Sequence, residues 1–334
     1  MRKLRTGVIG LGVGARHIAC YEAHPDCDVT AICDLDPKKL REVGEQYPGR
    51  KMTERANEIL TDPAIDVISI ASYDDVHFEQ ICLGIEQGKH LMVEKPVCQS
   101  PEHMAEIRKR LAASPGIRFS SNHVLRVSSR FQELRRNIQA GEYGELYYLE
   151  GDYQYGRLHK IIDGWRGELD YYSVVQGGAV HMIDLLLWLT GEEPEEVTAF
   201  GNRISSRESG FRFDDMVAAL IKMSSGAIAK VTANFGCRRP HFHGVEIHGT
   251  KKMFVNRPSE AEVFSSVEKG VPPDLMDIPY YDYQKPELIG SFLDWILGRA
   301  EPIVTPKDVF QTMATCFAVE RAVQTGKPEK IENN

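Results

Sequence analysis

The chain has 334 residues, 42% of them hydrophobic and 26% charged, with a formal net charge of −8. That length and balance belong to a soluble globular protein with room for two domains and well-buried cores. Acidic and basic residues are mixed along the chain with no basic tail, which excludes non-specific nucleic-acid binding as a main role, and no apolar run is long enough for a membrane span.

The first few residues lead directly into the strand-like Gly7-Val8-Ile9-Gly10, leaving no room for a signal peptide, so a cytoplasmic location is expected. Seven cysteines lie at 20, 27, 33, 82, 98, 237 and 316. None has C-x-x-C spacing and several fall in apolar runs, so they read as buried, reduced thiols.

Over residues 1–122, strand-like runs at 6–9, 29–33, 67–71, 90–93 and 118–121 alternate with helical patterns at 15–23, 37–47, 76–87 and 101–112. This alternation predicts an α/β domain built on a doubly wound parallel sheet. The last helix opens with Ser100-Pro101, an N-cap followed by proline at the first helical position. From residue 123 the pattern changes. An amphipathic helix over 130–140 ends at Gly141, and long alternating segments follow at 146–155, 196–202, 216–223 and 227–235, the last two joined by Ser224-Ser225-Gly226. Residues 123–334 are therefore expected to form an α+β domain with an open, mostly antiparallel sheet. Helices at 287–297 and 306–325 return to pack on the body.

The first chemical motif is Gly10-Leu11-Gly12-Val13-Gly14-Ala15, a G-x-G-x-x-G/A run placed after a strand and before a helix. Gly10 permits the tight turn, Gly12 lets the backbone approach a pyrophosphate, and Ala15 allows close helix–strand packing. The helix N-terminus then offers free N–H groups to phosphates. Asp34, 24 residues after Gly10 and at the end of the second predicted strand, is placed to grip ribose hydroxyls. Its charge repels a 2′-phosphate and Leu35 offers no guanidinium to accept one, while Lys38 and Lys39 read as solvated helix residues. NAD is expected over NADP. Glu94-Lys95-Pro96 closes the fourth predicted strand, and carboxyl ends of such strands face the ligand. A partly buried Lys95 with a lowered pKa can exchange a proton with an alcohol, although a lysine at a strand end is more often a surface charge.

These motifs, together with Gly177-Gly178-Ala179-Val180-His181-Met182-Ile183-Asp184, Trp165-Arg166 and Gly141-Glu142-Tyr143-Gly144-Glu145, resemble the glucose–fructose oxidoreductase / inositol dehydrogenase (Gfo/Idh/MocA) family of NAD(P)-dependent oxidoreductases. The resemblance runs through nearly the whole chain. It implies a Rossmann domain followed by a domain on an open, mostly antiparallel sheet, with Lys95 and His181 flanking the reacting carbon. It also implies a cofactor set of Gly10, Gly12, Val13, Gly14, Ala15, Asp34, Ser72, Tyr73, His77, Glu94, Lys95, Asn122, Trp165 and Arg166. A homodimer or homotetramer is expected on the same ground.

One departure stands out. The family's aspartate or asparagine four residues before the histidine is here Gly177. Asp184, three residues after His181 on a predicted helix, is counted with the substrate residues because it is close enough to orient that imidazole, or else it interacts with the helix dipole. Tyr153 and Tyr155 share a strand face and could line a sugar site, though tyrosines in such strands more often serve packing. His241 and His243 also alternate on one face. No third ligand accompanies them, so no metal is expected. With Arg238 and Arg239 they form either a cationic patch for an anionic substrate group or an ordinary solvated loop. The expected activity is NAD-dependent hydride transfer at a carbinol carbon of a sugar, cyclitol, sugar acid or nucleotide sugar. The alternatives are a glycoside hydrolase that retains NAD and oxidises its sugar transiently, or a non-catalytic NAD-binding regulator.

Overall fold

In the computed structural model, which describes residues 2–282 and 286–332, the apolar runs of the N-terminal part become parallel strands: β1 (Leu4–Ile9), β2 (Cys27–Cys33), β3 (Lys51–Thr53), β4 (Val67–Ile70), β5 (His90–Val93) and β6 (Phe119–Ser121). Their order is β3-β2-β1-β4-β5-β6. The order reverses between β1 and β4, so the carboxyl ends of these two strands form the switch point at which such sheets take ligands. All four residues of β4 are buried, because helices cover both faces of a parallel sheet. Those helices are α1 (Gly14–Glu22), α2 (Pro37–Gln46), α3 (Asn57–Leu60), α4 (His77–Glu86) and α5 (Pro101–Ala113). The Asp36 carboxylate caps α2 by accepting from Lys38 N at 2.9 Å, and Ser100 Oγ caps α5 by accepting from His103 N at 3.2 Å, each with proline at the next position. The short β3 and α3 go beyond the sequence expectation, since three or four residues carry too little periodicity to be read.

The second unit is built on β7 (Leu146–Gln154), β8 (Pro194–Asn202), β9 (Met216–Met223), β10 (Ile228–Asn234), β11 (Phe242–Gly249), β12 (Met253–Val255), β13 (Ala261–Phe264), β14 (Asp274–Met276) and β15 (Glu329–Lys330). The order is β14-β13-β12-β11-β7-β10-β9-β8-β15, antiparallel throughout except for the parallel pair β7–β10. Alternation sends Leu149, Gly151 and Tyr153 of β7 and Ala229, Val231 and Ala233 of β10 to the buried face. Around this sheet lie α6 (Ser129–Gln139), α7 (His159–Ile162), α8 (Trp165–Glu168) and α9 (Val180–Thr190). Helix α9 is apolar nearly all round and lies close on the sheet: a Cβ added at Gly151 would stand 2.9 Å from Met182 Cβ. It ends at Gly191, whose φ of +71° continues the chain in the left-handed region.

Two further helices follow, α10 (Glu287–Ile296) and α11 (Pro306–Thr325). The chain divides into one unit of Met1–His123 with Gln284–Phe310 and another of Val124–Tyr283 with Gln311–Asn334. The sequence reading places all of 123–334 in the second domain, whereas the segment carrying α10 groups with the first. Helix α10 buries Leu288, Ile289, Phe292 and Leu293, and its neighbours are α1 and β5. Its amphipathic stripe is visible in sequence, but the surface that receives it is not. Among the described residues, no helix is long and apolar enough to cross a membrane.

Candidate active site

The glycine turn after β1 has the form that a dinucleotide needs. Gly10 has φ +86°, and a Cβ there would lie 2.2 Å from the Ala71 carbonyl oxygen, so only glycine fits. A Cβ added at Gly12 meets nothing within 4 Å, leaving its backbone facing open space. The close packing expected of Ala15 falls instead to Gly14, whose added Cβ would stand 3.0 Å from Val8 Cγ1 and 3.2 Å from Ala71 Cβ. Helix α1 begins one residue earlier than expected, and this shifts the tight contact. Val13 at its N-cap is exposed, and the first turn carries neither an acidic residue nor a side-chain cap, so its N–H groups remain for an anion.

Asp34 stands at the end of β2, buried beside this turn. Its Oδ2 accepts from Leu11 N at 2.7 Å and its Oδ1 from Asp36 N at 2.9 Å. Each oxygen keeps a lone pair for a ribose hydroxyl. These residues fit NAD: an open phosphate turn, a free helix N-terminus and a placed carboxylate.

The loop after β4 separates its three candidates. Tyr73 is exposed, Ser72 Oγ donates to Gln80 Oε1 at 2.8 Å, and His77 is fully buried. The His77 ring lies between the carbonyl oxygens of Pro96, at 2.8 Å from Nδ1, and Ser72, at 3.2 Å from Nε2. His77 thus braces two loops through its ring and has no exposed face for a cofactor.

Glu94 and Asn122 are likewise drawn inward. Asn122 Nδ2 donates to Glu94 Oε1 at 2.6 Å, and His17 Nε2 lies 3.1 Å from the same oxygen. The other His17 nitrogen meets Ser69 Oγ at 2.9 Å. Burial pushes the Glu94 carboxyl up, but the His17 hydrogen bond and charge, the Lys95 charge and the Asn122 hydrogen bond together hold it down at about 2. It is therefore ionised beneath Lys95, which is half-buried and joined to Pro96 by a cis peptide. Sequence reasoning missed His17. The available signal was its position on the buried stripe of α1 with Ile18 and Tyr21, where a polar residue needs a partner.

In the second unit, His181 sits in the first turn of α9, half-buried, its ring nearly parallel to Tyr153 at 5.7 Å. Tyr153 stacks in turn on Tyr155 at 5.9 Å. His243 and His241 close the group, with ring centroids 5.5 and 5.1 Å from that of Tyr153 and 4.7 Å from each other. The Tyr280 hydroxyl accepts from His243 N at 2.9 Å and meets its Nδ1, a partner that sequence reasoning did not supply. Burial, then the charges of His241 and Arg157, hold the His243 imidazole well below the usual histidine range, so it is neutral.

The entry to α9 is a buried π-helical turn, Val175–Ala179. A Cβ added at Gly178 would lie 2.5 Å from Tyr153 Cδ1, and one at Gly177 would lie 2.3 Å from the Tyr172 hydroxyl. Tyr172 thus occupies the space that a carboxylate side chain at 177 would take. Arg166 covers the Trp165 ring at 4.3 Å and faces Tyr172 at 6.0 Å, which sets the Trp165-Arg166 pair beside this tyrosine in the second unit.

Two substrate expectations are corrected. Asp184 is 1% exposed, and its carboxylate is held by Arg126, with Nη2–Oδ1 at 2.7 Å and Nε–Oδ2 at 3.0 Å, and by Thr312. Its turn of α9 faces the interior, so it serves a buried ion pair and not a substrate. Nor do Arg238, Arg239, His241 and His243 form one patch. The two histidines join the ring cluster, whereas the two arginines are exposed and line a cavity of about 560 Å³ with Gly156, His159 and Ser205.

Residues 4–123 match the oxidoreductase family with an NAD-binding Rossmann fold, and residues 131–255 match the GFO/IDH/MocA C-terminal domain. The chain belongs to the GFO/IDH/MocA family. It is an NAD-dependent oxidoreductase whose first unit is the NAD-binding domain. The chain is 24% identical to myo-inositol 2-dehydrogenase of Thermotoga maritima, over 98% of this chain and 99% of that one. It is 25% identical to 1,5-anhydro-D-fructose reductase of Ensifer adhaerens, over 98% of each. The fold is shared with levoglucosan dehydrogenase in complex with NADH and L-sorbose, at a TM-score of 0.86 and 22% identity over 99% of this chain and 100% of that one.

Proposed function

We propose that this GFO/IDH/MocA member oxidises or reduces one carbinol carbon of a sugar, cyclitol, sugar acid or nucleotide sugar, with Lys95 and His181 as its proton-handling residues. The observation that carries this is His181, laid half-buried on Tyr153 within a cluster of rings and imidazoles. The half-buried imidazoles of His181 and His241 suit the hydroxyls of a polyol, with the buried Tyr153, Tyr155 and His243 packed against them. Bound nicotinamide supplies the hydride acceptor or donor. Gly10, Gly12, Val13, Gly14 and Asp34 would hold the cofactor at the glycine turn. The Lys95 ammonium stabilises developing alkoxide character, and the His181 imidazole takes the hydroxyl proton. Named relatives act on inositol and anhydrofructose, which supports a polyhydroxylated ring as the substrate.

The same reading includes a cytoplasmic homodimer or homotetramer. Phe200 of β8, Leu220 of β9, Ile228 of β10 and Tyr147 of β7 are exposed on neighbouring strands, a surface suited to a second copy. The test is NADH absorbance on mixing NAD-loaded protein with a panel of cyclitols, aldoses and sugar acids. Turnover of at least one supports the reading. Cleavage of a glycoside with NAD retained and no net absorbance change replaces it with the hydrolase, and silence across the panel overturns it.

A further inference from the structure

The carboxyl ends of β4, β5 and β6 are joined by side chains as well as by the sheet. Glu94 N donates to Ile70 O at 2.8 Å and Asn122 N to Val93 O at 3.1 Å, so the ladder holds the three ends in register. The buried stripe of α1, Gly14, His17, Ile18 and Tyr21, brings His17 between Ser69 of β4 and Glu94. The protons can be placed. An ionised carboxylate only accepts, so Glu94 Oε1 takes one bond from Asn122 Nδ2–H at 2.6 Å and one from His17 Nε2–H at 3.1 Å. The 3.1 Å between Asn122 Nδ2 and His17 Nε2 is the spacing of two donors that share one acceptor. His17 Nδ1 is left to the Ser69 hydroxyl at 2.9 Å, which fixes the ring from its other side. Packing gives no reason for this set, because apolar side chains of similar volume fill a buried site at equal or lower cost than a carboxylate and an imidazole. Its position does give one, since the carboxyl ends of such strands face the ligand and the next residue is Lys95.

We infer that His17 is a positioning residue of the reaction: with Asn122 it pins the Glu94 carboxylate in one orientation, and that fixed negative charge stabilises the Lys95 ammonium. This rests on the proposed reading in which Lys95 handles the proton. The charged and titratable groups acting on Glu94 are His17 from α1 and Lys95 beside it. The other two members of the set, Ser69 of β4 and Asn122 beyond β6, are neutral. Burial pushes Glu94 up, and the His17 hydrogen bond and charge come first among the influences that hold it down. Without His17 the carboxyl moves up from about 2, towards neutral pH. It then takes a proton as pH falls, and Lys95 loses the neighbouring charge. The loss of rate is therefore greatest in acid and fades as pH rises, whereas a loss of packing is felt at every pH.

The experiment is single-turnover hydride transfer from pH 5 to 9, on NAD-saturated protein with the panel substrate of highest turnover. Relative to wild type, His17→Ala should be slower by about tenfold or more at pH 6 and by no more than about threefold at pH 9. His17→Gln, whose amide N–H can replace Nε2–H, should stay within about threefold throughout. Ser69→Ala is a small change in a buried strand and should repeat the trend of His17→Ala more weakly, so it decides the matter if His17→Ala does not fold. The Kd for NAD, read by fluorescence, should stay within a few-fold in every variant. A second readout needs no turnover: carbon-13 NMR of protein labelled at the glutamate carboxyl carbon, with Glu94→Gln identifying the Glu94 signal. That signal should titrate far below the ordinary 4.5 in wild type and above it in His17→Ala. A loss that is equal at pH 6 and pH 9, or that His17→Gln shares in full, assigns His17 to packing and overturns the inference. So does a Glu94 signal that titrates alike in both proteins, or a fall in NAD affinity that accounts for the slower rate. Each of these leaves the oxidoreductase reading standing, because hydride transfer is measured in wild type. Silence of wild type across the panel overturns both.

Discussion

The first unit buries an ionised carboxylate, Glu94, whereas the second buries a neutral imidazole, His243, and the surroundings account for the difference. Around Glu94 the neighbours are donors: His17, Asn122 and the cationic Lys95 outweigh the cost of burial. Around His243 they are aromatic rings, a second imidazole and the Arg157 guanidinium, so burial and charge act together against a proton. The lesson is that a buried group keeps its charge only where the donors that satisfy it arrive with it. In the proposed chemistry the contrast is useful. One unit supplies a lysine beside a fixed negative charge, and the other supplies His181 beside an imidazole, His243, that stays neutral.

The largest effect is expected from removing either of the two proposed proton-handling residues. Lys95→Met should lower kcat by about 10⁴-fold or more, and His181→Ala by roughly 10²–10⁴-fold, with NAD affinity within a few-fold in both. Single-turnover hydride transfer on a substrate found by the panel is the measurement. A near-normal rate in Lys95→Met would remove the lysine from the mechanism.

The next effect is on stability. The folded Glu94 value lies below the ordinary 4.5, so ionisation favours the folded state. That contribution, on the order of 3 kcal/mol, is complete above pH 4.5 and is lost as pH falls from there towards about 2. Glu94→Gln should lower the Tm at pH 7 and flatten the acid limb of a Tm-against-pH curve. If wild type and variant lose stability in parallel from pH 5 to 3, the buried-carboxylate account fails.

A smaller loss is expected at the π-helical turn. Gly177→Ala must displace the Tyr172 hydroxyl and should cost roughly 1–3 kcal/mol as overpacking. Tyr172→Phe should recover part of it in the double variant, because the ring carbon at 2.9 Å remains after the hydroxyl is gone. Additive losses in urea denaturation would mean that the two positions do not meet. Gly177→Asp should fail for the same reason, so restoring a carboxylate at 177 will not raise activity.

The smallest effect concerns cofactor choice. Asp34→Ala removes the repulsion of a 2′-phosphate and should narrow the preference for NAD over NADP by about tenfold, roughly 1.4 kcal/mol. The Kd values for both cofactors, measured side by side, decide it. A wild-type preference for NADP would reverse the assignment.

What could be read in the sequence is what neighbours in the chain impose on one another. A strand, a glycine turn and a helix follow within a dozen residues, so Gly10, Gly12 and the capping pair Ser100-Pro101 announce their geometry locally. Asp34 and Lys95 were legible because both stand at strand ends in an alternating βα pattern. The rest depended on partners far along the chain. His17 meets Glu94 across 77 residues, Arg126 meets Asp184 across 58, and Tyr280 meets His243 across 37. Hydrophobic period tells which face of an element is buried, but not which polar group waits on the other side. For that reason Asp184 could be taken for a substrate residue, the segment carrying α10 was counted with the second domain, and Tyr172 and Arg157 went unread. Burial makes an unpaired polar atom costly, so those partnerships are strongly enforced once the chain folds, yet only the fold brings the two groups of each pair together.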